Sequence, residues 1–421
     1  MKIGRLNIQS LYILEKKDIV KVFLYGGMLL AYFGSLNPWF LWSLGPLYII
    51  PAGGMIAVAM LISNSMERPV FHLRNFLPAI LCYVAFLYYQ LFLDGANIIG
   101  FAGQSFSILI FLALFRVDSG DLLALVTFIA KAMAILLSVS IPCFFLHLLG
   151  FPFPSRNDVF GEYALYSYTN YYFFMIDDRS LLATIFPRFH SVFLEPGHLG
   201  TATVLLLLTQ IGKWKKWYNI VLIVATLMTF SLAAYVLFVV TVFLNLWCQR
   251  KNVFKKLVAS VSVIAVISIG AFFYNGGDNL IHDLILIRLE VEDGELAGDN
   301  RVTNDFQAEY EDFLQSSDLL LGREMDKTTS GNSGFRVFIY ENGLIGLALV
   351  MMLYSTAFWR ATDKRMLMAA VLISVLCFIV RGYPLWYNYF IPLLCTACLD
   401  FTDVHEVDDA AGAEAVGQYC K

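Results

Sequence analysis

The densest group of chemistry-bearing residues in the chain is Arg188-Phe-His190-Ser-Val-Phe-Leu-Glu195-Pro196-Gly197-His198-Leu-Gly200. Proline favours the first helical position and pushes the residue before it out of helical geometry, so a helix is expected to begin at Pro196 with Glu195 at its cap. Such a helix start, with Arg188 just upstream, is a reasonable seat for a diphosphate. Glu195 and His198 lie within one turn of each other and are acid/base groups; Glu195 is the first candidate for a general base and His198 the second. Plainer readings compete, in which Glu195 only caps the helix and His198 is a satisfied interfacial histidine. A metal reading would use Glu195-x-x-His198 or Asp177-Asp178. One pair is not a complete ligand set, so neither a metal nor another cofactor is expected.

Three further stretches carry polar groups at the edges of apolar runs. Ser330-Gly-Asn332-Ser333-Gly334-Phe-Arg336 leads into Glu341-Asn-Gly343-Leu-Ile-Gly346, which puts Arg336 and Glu341 in the first two turns of an otherwise apolar helix. A charge at the centre of a bilayer costs about 2.5 to 3.5 kcal/mol even on a lenient scale, so these two must lie near a surface, pair, or face water. Arg381 lies between two apolar runs on the same side. Asn304 to Leu314 reads as an amphipathic surface helix, with Asn304 and Gln307 as a capping box and Phe306, Tyr310, Phe313 and Leu314 on one face.

The elements that must position these residues are membrane helices. Of 421 residues, 59% are hydrophobic and only 15% charged, and mean hydropathy is +0.68, a composition foreign to soluble domains. Disorder, an all-β soluble fold and a disulfide-stapled secreted domain are excluded, and a net charge of -4 gives no electrostatic case for nucleic acid. Cys395-x-x-Cys398 falls inside an apolar run and reads as packing. The expected fold is all-α, a single integral membrane domain over 1–421 with about twelve spans: 19–36, 40–63, 75–93, 98–115, 122–150, 191–211, 218–230, 231–247, 257–274, 335–358, 366–380 and 385–399. The run between Lys213 and Arg250 has basic flanks, so it must cross twice, turning near Thr229-Phe230-Ser231. The arrangement leaves two large outer loops, 151–190 and 275–334, and a short acidic inner tail, 400–421.

With the N-terminus inside, 19 of the 29 Lys and Arg fall on inner stretches, and Lys131 is close enough to the inner face to snorkel. The outer face carries eight Arg and one Lys. Arg presents a rigid fork of donors matched to phosphate and carboxylate oxygens. Pairing with nearby acidic residues is the plainer account of the same bias. The inner loops are short and no phosphate-binding glycine loop is present, so chemistry is expected on the outer side.

Taken in order, Arg188-x-x-Ser-x-Phe-x-Glu195-Pro196-Gly-His198, Thr229-x-Ser231-x-x-Ala-Tyr235, Gly334-Phe-Arg336 and Glu341-x-Gly343-Leu-Ile-Gly346 resemble the bacterial O-antigen and capsule repeat-unit polymerases (Wzy-type). The likeness spans roughly residues 180 to 360. It implies a glycosyltransferase in the bacterial cytoplasmic membrane, active at the outer face, that moves a growing glycan from an undecaprenyl-diphosphate carrier onto another lipid-linked repeat unit. It also implies that Arg188 and Arg336 bind the diphosphate with Glu195 lining the same site. The outer-face Arg323 and Arg301 are further candidates, and His190, Ser231, Tyr235, Asn332, Glu341 and Arg381 are supporting ones. The expected partners are the undecaprenyl-diphosphate-linked oligosaccharide, the bilayer, and a chain-length regulator and flippase of the same pathway.

The chain departs from the pattern twice. Asn332-Ser333 stands where related O-antigen ligases look like His-Asn, which favours polymerase over ligase, and Leu232 replaces the basic residue that often follows the turn serine. The alternatives are an O-antigen ligase and a lipid-linked oligosaccharide flippase or transporter.

Overall fold

The computed structural model describes residues 8–66, 70–71, 77–93, 98–160, 166–178, 187–248, 291–292, 295–296, 303–324, 332, 334–359 and 361–399, with single positions between 255 and 274. The expected span at 257–274, most of the second outer loop and the tail lie outside the described residues. What is described is mostly helical. α1 (Ile8–Gly34) is followed by a 3-10 helix (Trp39–Tyr48) that runs into α2 (Ile49–Asn64), then α3 (Leu77–Leu93), α4 (Ile98–Arg116) and α5 (Ser119–Leu148). After a long connecting stretch come α6 (Pro196–Thr209), α7 (Trp217–Met228), α8 (Leu232–Cys248), the surface helix α9 (Asn304–Gln315), α10 (Phe335–Phe358), α11 (Lys364–Val380) and α12 (Tyr387–Cys398).

Three of these segments are long and apolar enough to cross a membrane, Trp39–Asn64, Ser119–Leu148 and Phe335–Phe358, and five shorter apolar helices accompany them. The stretch expected as one span over 40–63 is not uniform. Gly45 sits at φ 50 and Pro46 has no amide to donate, so the first ten residues wind as a 3-10 helix before regular α geometry begins at Ile49.

The expectation of an all-α chain needs correction in the two long stretches between helices. Arg156–Phe160 (β1), Tyr166–Asn170 (β2) and Met175–Asp177 (β3) form an antiparallel sheet in the order β1-β2-β3, and a two-residue pair, β4 (Val291–Glu292) and β5 (Glu295–Leu296), forms a second one. The first sheet braces the segment that leads to Glu195. The Tyr168 hydroxyl donates to the Leu194 carbonyl at 2.8 Å, and the Met175 amide donates to the Ser191 carbonyl at 2.8 Å. From the other side, the Trp39 amide donates to the Val192 carbonyl at 3.0 Å.

α6 and α12 form the centre. Every residue of α12 is buried, as is every residue of α6 after Pro196, and α6 packs against α5, α7, α8 and α12. A helix apolar all round belongs in an interior. α6 has only 14 residues, roughly 21 Å, so it is shorter than a hydrocarbon core and starts within the protein. The loop ahead of it, Phe189 to Leu194, is accordingly buried.

α9 docks on the start of α10 through Phe306, Tyr310 and Phe313, which meet Val337 and Tyr340. Two details differ from expectation. The cap is Thr303, whose hydroxyl accepts from the Phe306 amide at 3.3 Å, and Leu314 is exposed because the buried stripe is the 306, 310, 313 row. The Glu341-x-Gly343 stretch has a structural job. Gly343, at φ 61, kinks α10, and any Cβ there would lie 2.4 Å from the Leu320 carbonyl, so only glycine lets the segment after α9 pack against the helix. Phe306 is fully buried, so Phe306→Ala is expected to weaken the docking of α9 by about 3–5 kcal/mol. Hydrogen exchange across 304–315 should rise while that of α6 stays unchanged.

Candidate active site

Glu195 is the N-cap of α6, as the Glu-Pro order predicts, but its side chain makes no capping hydrogen bond. The carboxylate turns instead toward Arg381, with Oε2 3.0 Å from Nη2. His198 Nε2 lies 3.8 Å from the same oxygen, within reach of its charge but too far for a good hydrogen bond. The side chains are 24% exposed for Glu195 and 15% for Arg381, so the pair is only partly screened by solvent.

Arg381 follows the last residue of α11 and reaches across the first turn of α6. A Cβ at Gly197 would lie 2.1 Å from Arg381 Nη2, so the guanidinium occupies the space that this glycine leaves empty. Burial disfavours the charge of Arg381, but Glu195 and the nearby Tyr389 and Tyr383 more than offset that, and its pKa is raised. It is a fixed cation.

The His198 ring is buried, presents an edge-to-face contact to Trp386 at 5.4 Å between centroids, and leaves Nδ1 without a hydrogen-bond partner. Tyr383 stacks on the same Trp386 at 4.2 Å. Neither aromatic stood out in the sequence, where both are only two more rings in an aromatic-rich chain.

The turn between α7 and α8 closes another side of the site. Phe230 adopts φ 45, an uncommon conformation for a non-glycine residue, and Ser231 Oγ lies 3.6 Å from where a Gly197 Cβ would be. Arg188 Nε donates to the Thr229 carbonyl at 3.1 Å, and the Phe189 amide donates to Met228 at 3.2 Å. Arg188 is thus fastened to the turn that also carries Ser231. The Tyr235 hydroxyl donates to the Leu227 carbonyl across the same turn. His190 lies behind the loop, fully buried, with Nδ1 against the Phe193 carbonyl and Nε2 unpartnered. Desolvation lowers its pKa despite that carbonyl.

The remaining predicted residues lie around α9 and α10. Arg336 Nη1 donates to Gln307 Oε1 of α9 at 2.7 Å, and the Asn332 side chain accepts from the Thr303 amide at 2.6 Å. Arg323 pairs with Asp318 at 2.8 Å and Asp312 at 3.1 Å, hydrogen bonds that raise its pKa. It therefore clasps the last turn of α9 to the 3-10 turn, Ser317–Leu319, that follows it. Glu341 is exposed and lines a cleft with Gln90, Gly322 and Arg323. Arg301 lies outside the described residues. The two groups are not isolated, because Gly382 packs directly on the Gly334 carbonyl and so brings the start of α10 against the turn after Arg381.

A cavity of about 480 Å³ opens between α3, α4, α10 and the 382–387 turn, lined by Tyr48, Tyr83, Gln90, Gln104, Phe338 and Trp386 among others. Among the described residues its only charged lining residue is Glu341, and Trp386 is shared with His198. Among the described residues no group of three or more His, Cys, Asp and Glu could hold a metal ion.

No family model, no curated protein and no solved structure matches the chain.

Gly197 makes a sharp prediction. In a double-mutant cycle on Glu195→Gln and Arg381→Gln, followed by thermal unfolding, the coupling should fall between about 0.5 and 3 kcal/mol. Repeated on a Gly197→Ala background, where the new methyl displaces the guanidinium, the coupling should fall close to zero while the protein still folds.

Proposed function

We propose that the chain is a polytopic bacterial inner-membrane glycosyltransferase that polymerises undecaprenyl-diphosphate-linked oligosaccharide repeat units at the outer face. The observation that carries this reading is the Glu195 carboxylate, which ignores its own helix amides and pairs with Arg381 across Gly197. A pure cap would do the reverse. A proton acceptor, a fixed cation and an aromatic-walled cavity without cationic lining meet around one turn, which suits a substrate with an anionic diphosphate and an uncharged remainder.

In this reading the diphosphate of the donor competes with Glu195 for Arg381, with Arg188 beside the same turn. The released carboxylate accepts the proton of the acceptor hydroxyl as that oxygen bonds to the donor's anomeric carbon. The bond from that carbon to the diphosphate breaks, its electrons leave with undecaprenyl diphosphate, and the arginines neutralise the charge that develops. His198 is the second candidate for the base. Arg336, Arg323 and α9 position the outer wall. The twelve-span topology, with both ends inside, is part of the same proposal and is supported by the distribution of Lys and Arg.

Purified protein in detergent, given a lipid-linked oligosaccharide repeat, should yield products of two or more repeats. Glu195→Gln should lower turnover by about 10²–10⁴-fold while retaining donor binding. If Glu195→Gln is active and His198→Ala is not, the base is the histidine. Product formation should persist in chelator; loss in chelator with rescue by added metal would overturn the arginine mechanism. A protein that acts only across sealed vesicles, without joining repeats, is a flippase instead. Separately, a topology reporter placed after Ser231 should register outside, and an inside signal would sink the α7–α8 hairpin.

A further inference from the structure

A second concavity lies at the other end of α6 from Glu195. It measures about 400 Å³ and is lined by Leu123, Ala124 and Phe128 of α5 together with Lys131 and Lys213. Both lysines are set in a built framework. Lys131 Nζ stands 5.8 Å from the centre of the Tyr218 ring, whose hydroxyl donates to Gln210 Oε1 at 3.2 Å, and Gln210 Nε2 donates on to Thr127 at 3.3 Å. Lys213 follows Gly212, which turns the chain at φ 81 and donates its amide to Asn245 Oδ1 at 2.9 Å. Its carbonyl accepts from Asn219 Nδ2 at 2.9 Å.

Among the described residues neither lysine has a carboxylate within 4.0 Å, and the acid nearest to them on α5, Asp121, faces Lys21 at 3.8 Å. A snorkelling lysine needs only to reach water, whereas these two, from different elements, converge on one hollow. The wall beside them is oily: Phe128 and Ile135 are exposed on the face of α5 that also bears Lys131, at the i, i+3, i+7 spacing of one helix stripe.

We propose that this hollow binds the phosphate headgroup of an anionic phospholipid from the surrounding leaflet, with Lys131 and Lys213 on the phosphate and the acyl chains along Phe128 and Ile135. Two cations at a concavity edge select negative charge, and the adjoining apolar face selects a lipid over a free anion. The inference requires only that the protein sits in a membrane and is independent of the glycosyltransferase reading.

Native mass spectrometry of the full chain in detergent, with phosphatidylglycerol and phosphatidylcholine in equal amounts, tests it. The wild type should retain phosphatidylglycerol preferentially, and Lys131→Gln/Lys213→Gln should weaken that binding on the order of tenfold. Lys131→Arg/Lys213→Arg should keep it, and Lys215→Gln/Lys216→Gln, outside the hollow, should keep it too. The proposal fails if the wild type shows no preference for phosphatidylglycerol, if the glutamine pair retains it, or if the 215/216 pair loses as much. Inorganic phosphate offered alone should not bind; tight binding that the glutamine pair abolishes would mark a free-anion site and overturn the lipid assignment. Equal melting temperatures in phosphatidylcholine check that all variants fold.

Discussion

A carboxylate and a guanidinium that are both largely withdrawn from water hold each other in place, because removing either leaves a charge with little solvent to stabilise it. Glu195 and Arg381 form such a pair at 3.0 Å, and the elements around the start of α6 are arranged about it. The pair requires that Gly197 have no side chain and that α6 begin at Pro196, so that Glu195 leaves the helix just where Arg381 arrives. It also ties the start of α6 to the end of α11. Gly382 passes that constraint on to the Gly334 carbonyl at the start of α10, where Arg336 and α9 take it up.

These arginines therefore do different work. Arg188 and Arg381 sit at the turn around α6, one bonded to the Thr229 carbonyl and one to Glu195. Arg323 and Arg336 hold α9, through two carboxylates and a glutamine amide oxygen respectively. Structural clasping favours the guanidinium fork, since a planar set of directed donors can satisfy several acceptors at once.

The aromatic turn from Tyr383 to Trp386 separates two unlike compartments. On one side Trp386 faces His198, next to the charged groups; on the other it lines the large cavity, whose wall is mainly apolar and aromatic with a few tyrosines and amides. An amphiphilic substrate with a charged junction and a neutral body is what such a division would suit, and the proposed function draws on it.

Features set by neighbours in the chain were legible in advance. Proline after Glu195 dictates a helix start, the apolar run between basic flanks divides into two helices with a turn at Thr229-Phe230-Ser231, and the spacing of Phe306, Tyr310 and Phe313 dictates a one-sided surface helix. The structure has each of the corresponding elements, α6, the α7–α8 turn and α9. Even locally there were limits: Thr303 displaced Asn304 as the cap, and Gly45-Pro46 broke what hydropathy presents as one span. Arg381 as the partner of Glu195, Gln307 as the acceptor for Arg336, and Trp386 against His198 were not legible at all. Sequence determines that a partly buried charge needs a partner, because the cost of burial is a property of the residue. Which partner it meets depends on how helices far apart in the chain pack, and that only the tertiary structure decides.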